Sequence, residues 1–141
     1  MSDEPARVSV VVAGAIFRDG RLLLAQRVRP PELAGKWELP GGKVEEFESP
    51  PEALERELAE ELGVEVRCGS RIGVDVALGQ GRVLRAYRVD MPEGEPEALD
   101  HAQLAWVDAD SLEKFDLVAN DEAWVPDLLA ELRSLRQPEP S

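Results

Sequence analysis

Residues Ser49 to Gly63 constrain the chain more than any other stretch. Ser49 stands where a helix N-cap belongs, Pro50 follows at the first helical position, and Glu52 lies three residues after the cap. Together they predict a helix opened by a capping box. Gly63 falls where a C-terminal glycine ends such a helix. Leu54, Leu58 and Leu62 recur every four residues and predict one buried stripe. Beside that stripe, Glu57, Glu60 and Glu61 fall at i, i+3 and i+4 and share a narrow arc of the helix. Like charges so spaced destabilise a bare helix by a few tenths of a kcal/mol per pair. A hard divalent cation reverses the sign, because Mg²⁺ prefers oxygen ligands. The plain alternative is a solvated acidic face, since a chain with 29 Asp and Glu forms such clusters by chance.

The rest of the composition bounds the partners. The 141 residues suit one domain, expected to span residues 1–136, with Gln137-Pro-Glu-Pro-Ser141 as a disordered tail. A formal net charge of −13 argues against binding a nucleic acid polymer. An anionic triphosphate ligand would need local positive charge, which a divalent metal supplies. The lone Cys68 excludes an internal disulfide and fits a reducing compartment. No apolar run reaches the roughly 18 residues of a membrane span, and the acidic start Met1-Ser-Asp-Glu-Pro5 does not resemble a signal peptide. The expectation is a cytoplasmic protein without a membrane partner, as a monomer or homodimer.

Along the chain, Val8–Phe17 and Arg21–Gln26 read as strands of a hairpin turned at Asp19-Gly20. Val28–Lys36 reads as a loop, and Trp37–Leu39 as a short strand before Pro40-Gly41-Gly42. Val64–Leu78 and Arg82–Val89 read as strands joined around Gly79-Gln80-Gly81, followed by a loop over Met91–Glu97. Leu104–Val107 reads as a strand, Asp110–Glu113 as a helical turn, and Asn120–Leu135 as the last helix. Strands before, between and after helices predict an α/β (α+β) domain, a mixed β-sheet sandwiched between helices.

From Gly42 to Val64 the chain follows the pattern G-x5-E-x7-R-E-U-x-E-E-x-G-U, where U is a bulky aliphatic residue. The fixed positions are Gly42, Glu48, Arg56, Glu57, Leu58, Glu60, Glu61, Gly63 and Val64. This stretch resembles the signature box of the Nudix hydrolases, which cleave nucleoside diphosphates linked to another group. The resemblance implies a Mg²⁺ (or Mn²⁺) cofactor. It implies Glu57, Glu60 and Glu61 as metal ligands, the Gly41 carbonyl as a further ligand, and Glu48 and Arg56 as residues that orient the loop and the acids. Phe47 departs from the many relatives that have glycine just before the box glutamate, so the loop is expected to differ there in backbone angle.

Outside the box the chain is similar to the MutT branch, which includes 8-oxo-dGTP and CTP/dCTP pyrophosphohydrolases. The likeness rests on Leu24-Ala-Gln-Arg27, Gly35-Lys-Trp-Glu-Leu-Pro-Gly-Gly-Lys43, Asp100-His101, Leu104-Ala-Trp-Val107 and Val118-Ala-Asn120. It implies attack at the β-phosphorus of a nucleoside triphosphate, giving a nucleoside monophosphate and pyrophosphate. Arg27 matches a phosphate-contacting arginine, the alternative being an exposed strand-end residue, and Lys43 is placed to reach phosphate or simply to be solvated. Asp100 matches an acid that serves as an extra metal ligand or base, while His101, the only histidine, is read as structural. Asn120 aligns with the asparagine that reads the modified guanine, where CTP-type relatives commonly carry Asp. Its amide both donates and accepts, which suits an edge with O6 and N7–H. The alternative is that it caps the last helix. The segment Pro30–Pro40 resembles the CTP/dCTP type equally well, and hydrolysis of ADP-ribose or nucleotide sugars, or sensing without turnover, are further alternatives.

Overall fold

A computed structural model describes residues 9–135. The expected strand position at Val8 and the expected tail at 137–141 lie outside the described residues. Strand β1 (Ser9–Arg18) is the spine. Its last two residues turn through Asp19-Gly20 into β2 (Arg21–Gln26). Both turn residues have positive φ, 52° and 74°, as the tightest hairpin turn requires. Farther back, β1 lies between β4 (Gly41–Lys43), antiparallel, and β6 (Arg82–Asp90), parallel. Antiparallel to β6 runs β5 (Arg67–Gly79), and β2 pairs with both β3 (Trp37–Glu38) and β7 (Gln103–Val107). The seven strands form one mixed sheet.

Alternation along the strands feeds a core on each face. Val12 and Ile16 of β1 and Leu23 of β2 pack beneath α1 (Pro50–Leu62), against Leu54, Leu58 and Leu62. Ala13, Ala15, Leu22 and Leu24 face the opposite side, under α2 (Ala109–Leu112) and α3 (Val125–Leu135), with Leu128, Leu132 and the buried Trp124. The sheet is therefore sandwiched between helices. Among the described residues no helix is long and apolar enough to cross a membrane.

The box helix forms as its sequence predicts. Ser49 accepts from the Glu52 amide, the Glu52 carboxylate accepts from the Ser49 amide, and Gly63 closes the helix in the left-handed conformation. Two sequence expectations are corrected, and one strand goes beyond them. Residues 64–66 precede β5, which begins at Arg67. The glycine segment after Pro40 is a strand, β4, recruited because β1 offers it an open edge. The last helix is two pieces, a 3₁₀ helix over Ala119–Trp124 and then α3. The tighter 3₁₀ winding accompanies Asp121 and Trp124 turning into the protein.

Phe47 has φ 67° and a side chain 98% exposed. The left-handed region is the one glycine takes without strain, so Phe47 holds a glycine-like backbone conformation. Because the ring packs on nothing, Phe47→Gly removes strain and loses no contact. After the entropy cost of glycine, the variant is expected to be more stable by about 0.5–1 kcal/mol, read from the midpoint of urea unfolding.

Candidate active site

The glycines of β4 let three elements meet. A Cβ on Gly41 would fall 1.9 Å from the Val12 carbonyl oxygen, and one on Gly42 would fall 2.3 Å from Cδ of Glu57. The Glu57 carboxylate thus lies directly over Gly42. Glu61 reaches the same strand, its Oε2 accepting from the Gly41 amide at 3.1 Å. Glu57 and Glu61 line a cleft of about 460 Å³ together with Gly41, Gly42, Lys43 and Asp100. Its other walls include Arg27, Arg29, Glu38, Arg82, Asn120 and Asp121.

Arg56 sets the posture of the acids. Its Nε and Nη2 donate to the two carboxylate oxygens of Glu48 at 2.7 and 2.9 Å. Nη2 also donates to the Lys43 carbonyl at 3.0 Å, and Nη1 donates to Glu57 at 3.0 Å. This fork–fork pairing holds the Glu48 carboxyl down at about 2, helped by the Glu45 amide. The pairing expected between Glu48 and Arg56 is thus present.

The electrostatics of the acid wall run the other way. Burial first, then the charges of Glu57, Glu38 and Asp100, pushes the Glu61 carboxyl up to about 8. Burial likewise raises Glu57, against the lowering pull of Arg56. An all-oxygen donor set with uncompensated negative charge, brought onto a glycine strand that leaves no room for a Cβ, fits a hard divalent cation. Glu60 is not part of the cleft lining. It points outward, its carboxylate 3.4 Å from Arg56 Nη1 and largely exposed. Among the described residues, no group of three or more His, Cys, Asp or Glu is arranged to hold a metal ion.

The remaining candidates are placed as follows. Arg27 lines the cleft, but its Nη1 donates to Glu38 Oε1 at 2.8 Å and its Nε to the Arg29 carbonyl, so it is neither a solvated strand end nor a free cation. Lys43 lines the cleft from β4. Asp100 lines it as well, accepting from Arg29 at 2.7 Å. His101 is buried, with Nε2 3.0 Å from Glu38 Oε2 and Nδ1 without a hydrogen-bond partner among the described residues. Asn120 is exposed on the cleft, and it does not cap its own turn. The N-cap of that 3₁₀ helix is Val118, with no side-chain bond.

Four charged cleft residues escaped the sequence reading, the first being Arg29, the partner of Asp100. Glu38 ties Arg27 and His101 together. Arg82 begins β6, which flanks β1 on the edge opposite β4, and pairs in register with Ser9 while Lys43 pairs with Val11. Asp121 is only 4% exposed, its Oδ2 accepting from the Leu39 amide at 2.8 Å, and burial pushes its carboxyl up to about 7. Asp121 had one usable signal, its position beside Asn120. Arg82 had none in the sequence, because its hairpin comes to β1 only in the fold.

Comparison with known proteins gives the same picture. The NUDIX domain profile matches residues 6–128. A Mycobacterium tuberculosis protein named "Putative 8-oxo-dGTP diphosphatase 2" is 57% identical over 122 residues, 84% of this chain and 86% of that one. The CTP pyrophosphohydrolase of Escherichia coli is 38% identical, covering 93% of this chain and 96% of its own. The crystal structure of a MutT NUDIX hydrolase from Burkholderia pseudomallei superposes with a TM-score of 0.67 at 33% identity, covering 85% of this chain and 97% of that one. The chain therefore belongs to the Nudix family, as a hydrolase acting on phosphorus-containing anhydrides.

Proposed function

We propose that this protein is a nucleoside triphosphate pyrophosphohydrolase of MutT type, acting with Mg²⁺ or Mn²⁺ on oxidised nucleotides such as 8-oxo-dGTP to give a monophosphate and pyrophosphate. The observation that carries the reading is the Glu57–Glu61 carboxylate pair, laid against Gly41 and Gly42 in a cleft that also holds Lys43, Arg82 and Asp100. Nudix hydrolases generally use divalent metal ions. Glu57 and Glu61 are assigned as ligands, with Glu60, the Gly41 carbonyl and Asp100 as further donors. When bound, the cation neutralises phosphate charge and lowers the pKa of a water. Arg56 and Glu48 orient Glu57 by the hydrogen bonds described above. Lys43 and Arg82 supply positive charge for phosphate oxygens. Arg27 is assigned to phosphate only through a rearrangement that releases Glu38.

The nucleobase reading rests on Asn120 and Asp121. An amide donates and accepts at once, and a carboxyl titrating near neutrality offers either role, which together suit the O6 and N7–H edge of an oxidised guanine. The 57% identical relative is named for 8-oxo-dGTP. The second reading, CTP or dCTP, is favoured by the Escherichia coli relative and by an ionised Asp121, which would accept from a cytosine amino group. Removal of damaged nucleotides ahead of a polymerase is the cellular role that accompanies the first reading.

Pyrophosphate release with Mg²⁺, compared by kcat/KM across 8-oxo-dGTP, dGTP, dCTP, CTP and ADP-ribose, separates these readings. Preference for 8-oxo-dGTP supports the first, preference for dCTP or CTP the second, and a sugar phosphate product contradicts both. Glu57→Gln is expected to slow turnover by roughly 10³ or more, the several kcal/mol a metal site contributes. Near-wild-type turnover in that variant would contradict the assignment.

Asp121 also makes a prediction about stability. Its folded pKa of about 7 lies above its ordinary 3.8, so the native state holds the proton more tightly than the unfolded chain. Its contribution to stability is therefore full below pH ~4 and declines as pH rises to ~7. Asp121→Asn keeps an acceptor for Leu39 and does not ionise. Its stability relative to wild type is expected to improve by on the order of 2 kcal/mol between pH 4.5 and pH 8, measured by urea unfolding at the two pH values.

A further inference from the structure

The four cations lining the cleft are held in different ways. Arg27 is locked onto Glu38, whose side chain is 16% exposed and also engaged by His101. Lys43 and Arg82 make no ion pair or side-chain hydrogen bond among the described residues. Arg29 stands between these cases. Its Nη2 donates to Asp100 Oδ1 at 2.7 Å, and the two side chains are 67% and 49% exposed. Its backbone is fixed: the Arg29 carbonyl accepts from Arg27 Nε, and the next carbonyl, of Pro30, accepts from the Leu33 and Ala34 amides. An anchored backbone thus carries a solvent-exposed guanidinium paired to one of the acids of the wall.

We propose that Arg29 is an exchangeable counter-ion. In the nucleotide-free protein it occupies Asp100, and when a nucleotide enters it transfers to the polyphosphate, leaving Asp100 for the cation. The inference deepens the nucleotide-hydrolase reading and rests on it. The energetics favour exchange at this pair over the others. An exposed ion pair contributes little to stability, so a multiply charged phosphate chain displaces a single carboxylate at little cost. A planar guanidinium also matches two phosphate oxygens as well as it matches a carboxylate. Releasing Arg27 instead would strip a half-buried Glu38 of its counter-ion. Exchange at Arg29 keeps the charge of the acid wall partly balanced before the nucleotide arrives and gives up that balance only when phosphate and cation enter together.

The test uses the whole chain and two titrations without turnover. Mn²⁺ alone is titrated calorimetrically in one, and inorganic tripolyphosphate in EDTA in the other. Wild type, Arg29→Gln, Asp100→Asn, the double variant and Arg82→Gln are compared, each first checked for a native circular dichroism melt. Arg29→Gln is expected to tighten Mn²⁺ and weaken tripolyphosphate by about two- to fivefold, the size of an exposed ion pair. Asp100→Asn is expected to tighten tripolyphosphate, and that gain should vanish in the double variant. The Mn²⁺ gain of Arg29→Gln should vanish in the Asp100→Asn background and be absent in Arg82→Gln. Additive effects, or an equal Mn²⁺ gain from Arg82→Gln, would show only general charge, and either of these, or no effect of Arg29→Gln, would overturn the exchange. Failure of the functional reading is seen separately, as no pyrophosphate release from any triphosphate by wild type in Mg²⁺.

Discussion

The Arg56 guanidinium reaches three segments at once. It grips Glu48 in the loop that enters α1, the Lys43 carbonyl on β4, and Glu57 one residue along its own helix. Loop, glycine strand and acidic helix are therefore held in one arrangement by a single planar group whose donors match carboxylate and carbonyl oxygens. A lysine has three donors on one nitrogen and lacks the planar fork that spans these separated acceptors. The leucine stripe beneath α1 supplies the packing energy that fixes the helix on the sheet, and Arg56 fixes how its acids face the cleft.

That arrangement leaves a charge imbalance that the protein does not resolve internally. Glu61 is pushed up to about 8 because burial and three neighbouring acids oppose its ionisation. Buried carboxylates are ordinarily paired or avoided, yet here Arg56 serves Glu48 and Glu57 and leaves Glu61, among the described residues, with the Gly41 amide alone. The cations across the cleft are divided between ion pairs at Arg27 and Arg29 and side chains at Lys43 and Arg82 that have no ion pair among the described residues. A chain carrying a net −13 charge thus keeps a few positive groups together where an anionic substrate would enter.

Local signals in the sequence carried much of this. The capping box, the Gly63 stop and the leucine stripe each depend on residues within one or two turns, and each is present in the structure. Glu48 with Arg56 was legible because the box spacing fixes both. Non-local pairing was not legible. Arg27 was read by its strand-end position, but Ala25 pairs with Glu38 across β2 and β3, and that register puts a carboxylate on the guanidinium. Glu60 shares the helix arc of Glu57 and Glu61 in the sequence, yet only the latter two face the sheet closely enough to line the cleft. Asn120 was singled out by its resemblance to a base-reading asparagine, with helix capping as the alternative on the expectation of one continuous last helix. The 3₁₀ turn changes which side chain faces inward, and Asp121 becomes the buried acid of the cleft.

The proposed cation site is the Glu57–Glu61 wall, where Arg56 offsets Glu57 and leaves Glu61 without a cationic partner among the described residues. Anomalous diffraction from crystals soaked in Mn²⁺, recorded at the manganese edge, tests it most directly. The account predicts an anomalous peak bonded to carboxylate oxygens of both Glu57 and Glu61. A saturating soak that leaves those oxygens without metal, or places manganese elsewhere on this acidic surface, would contradict it.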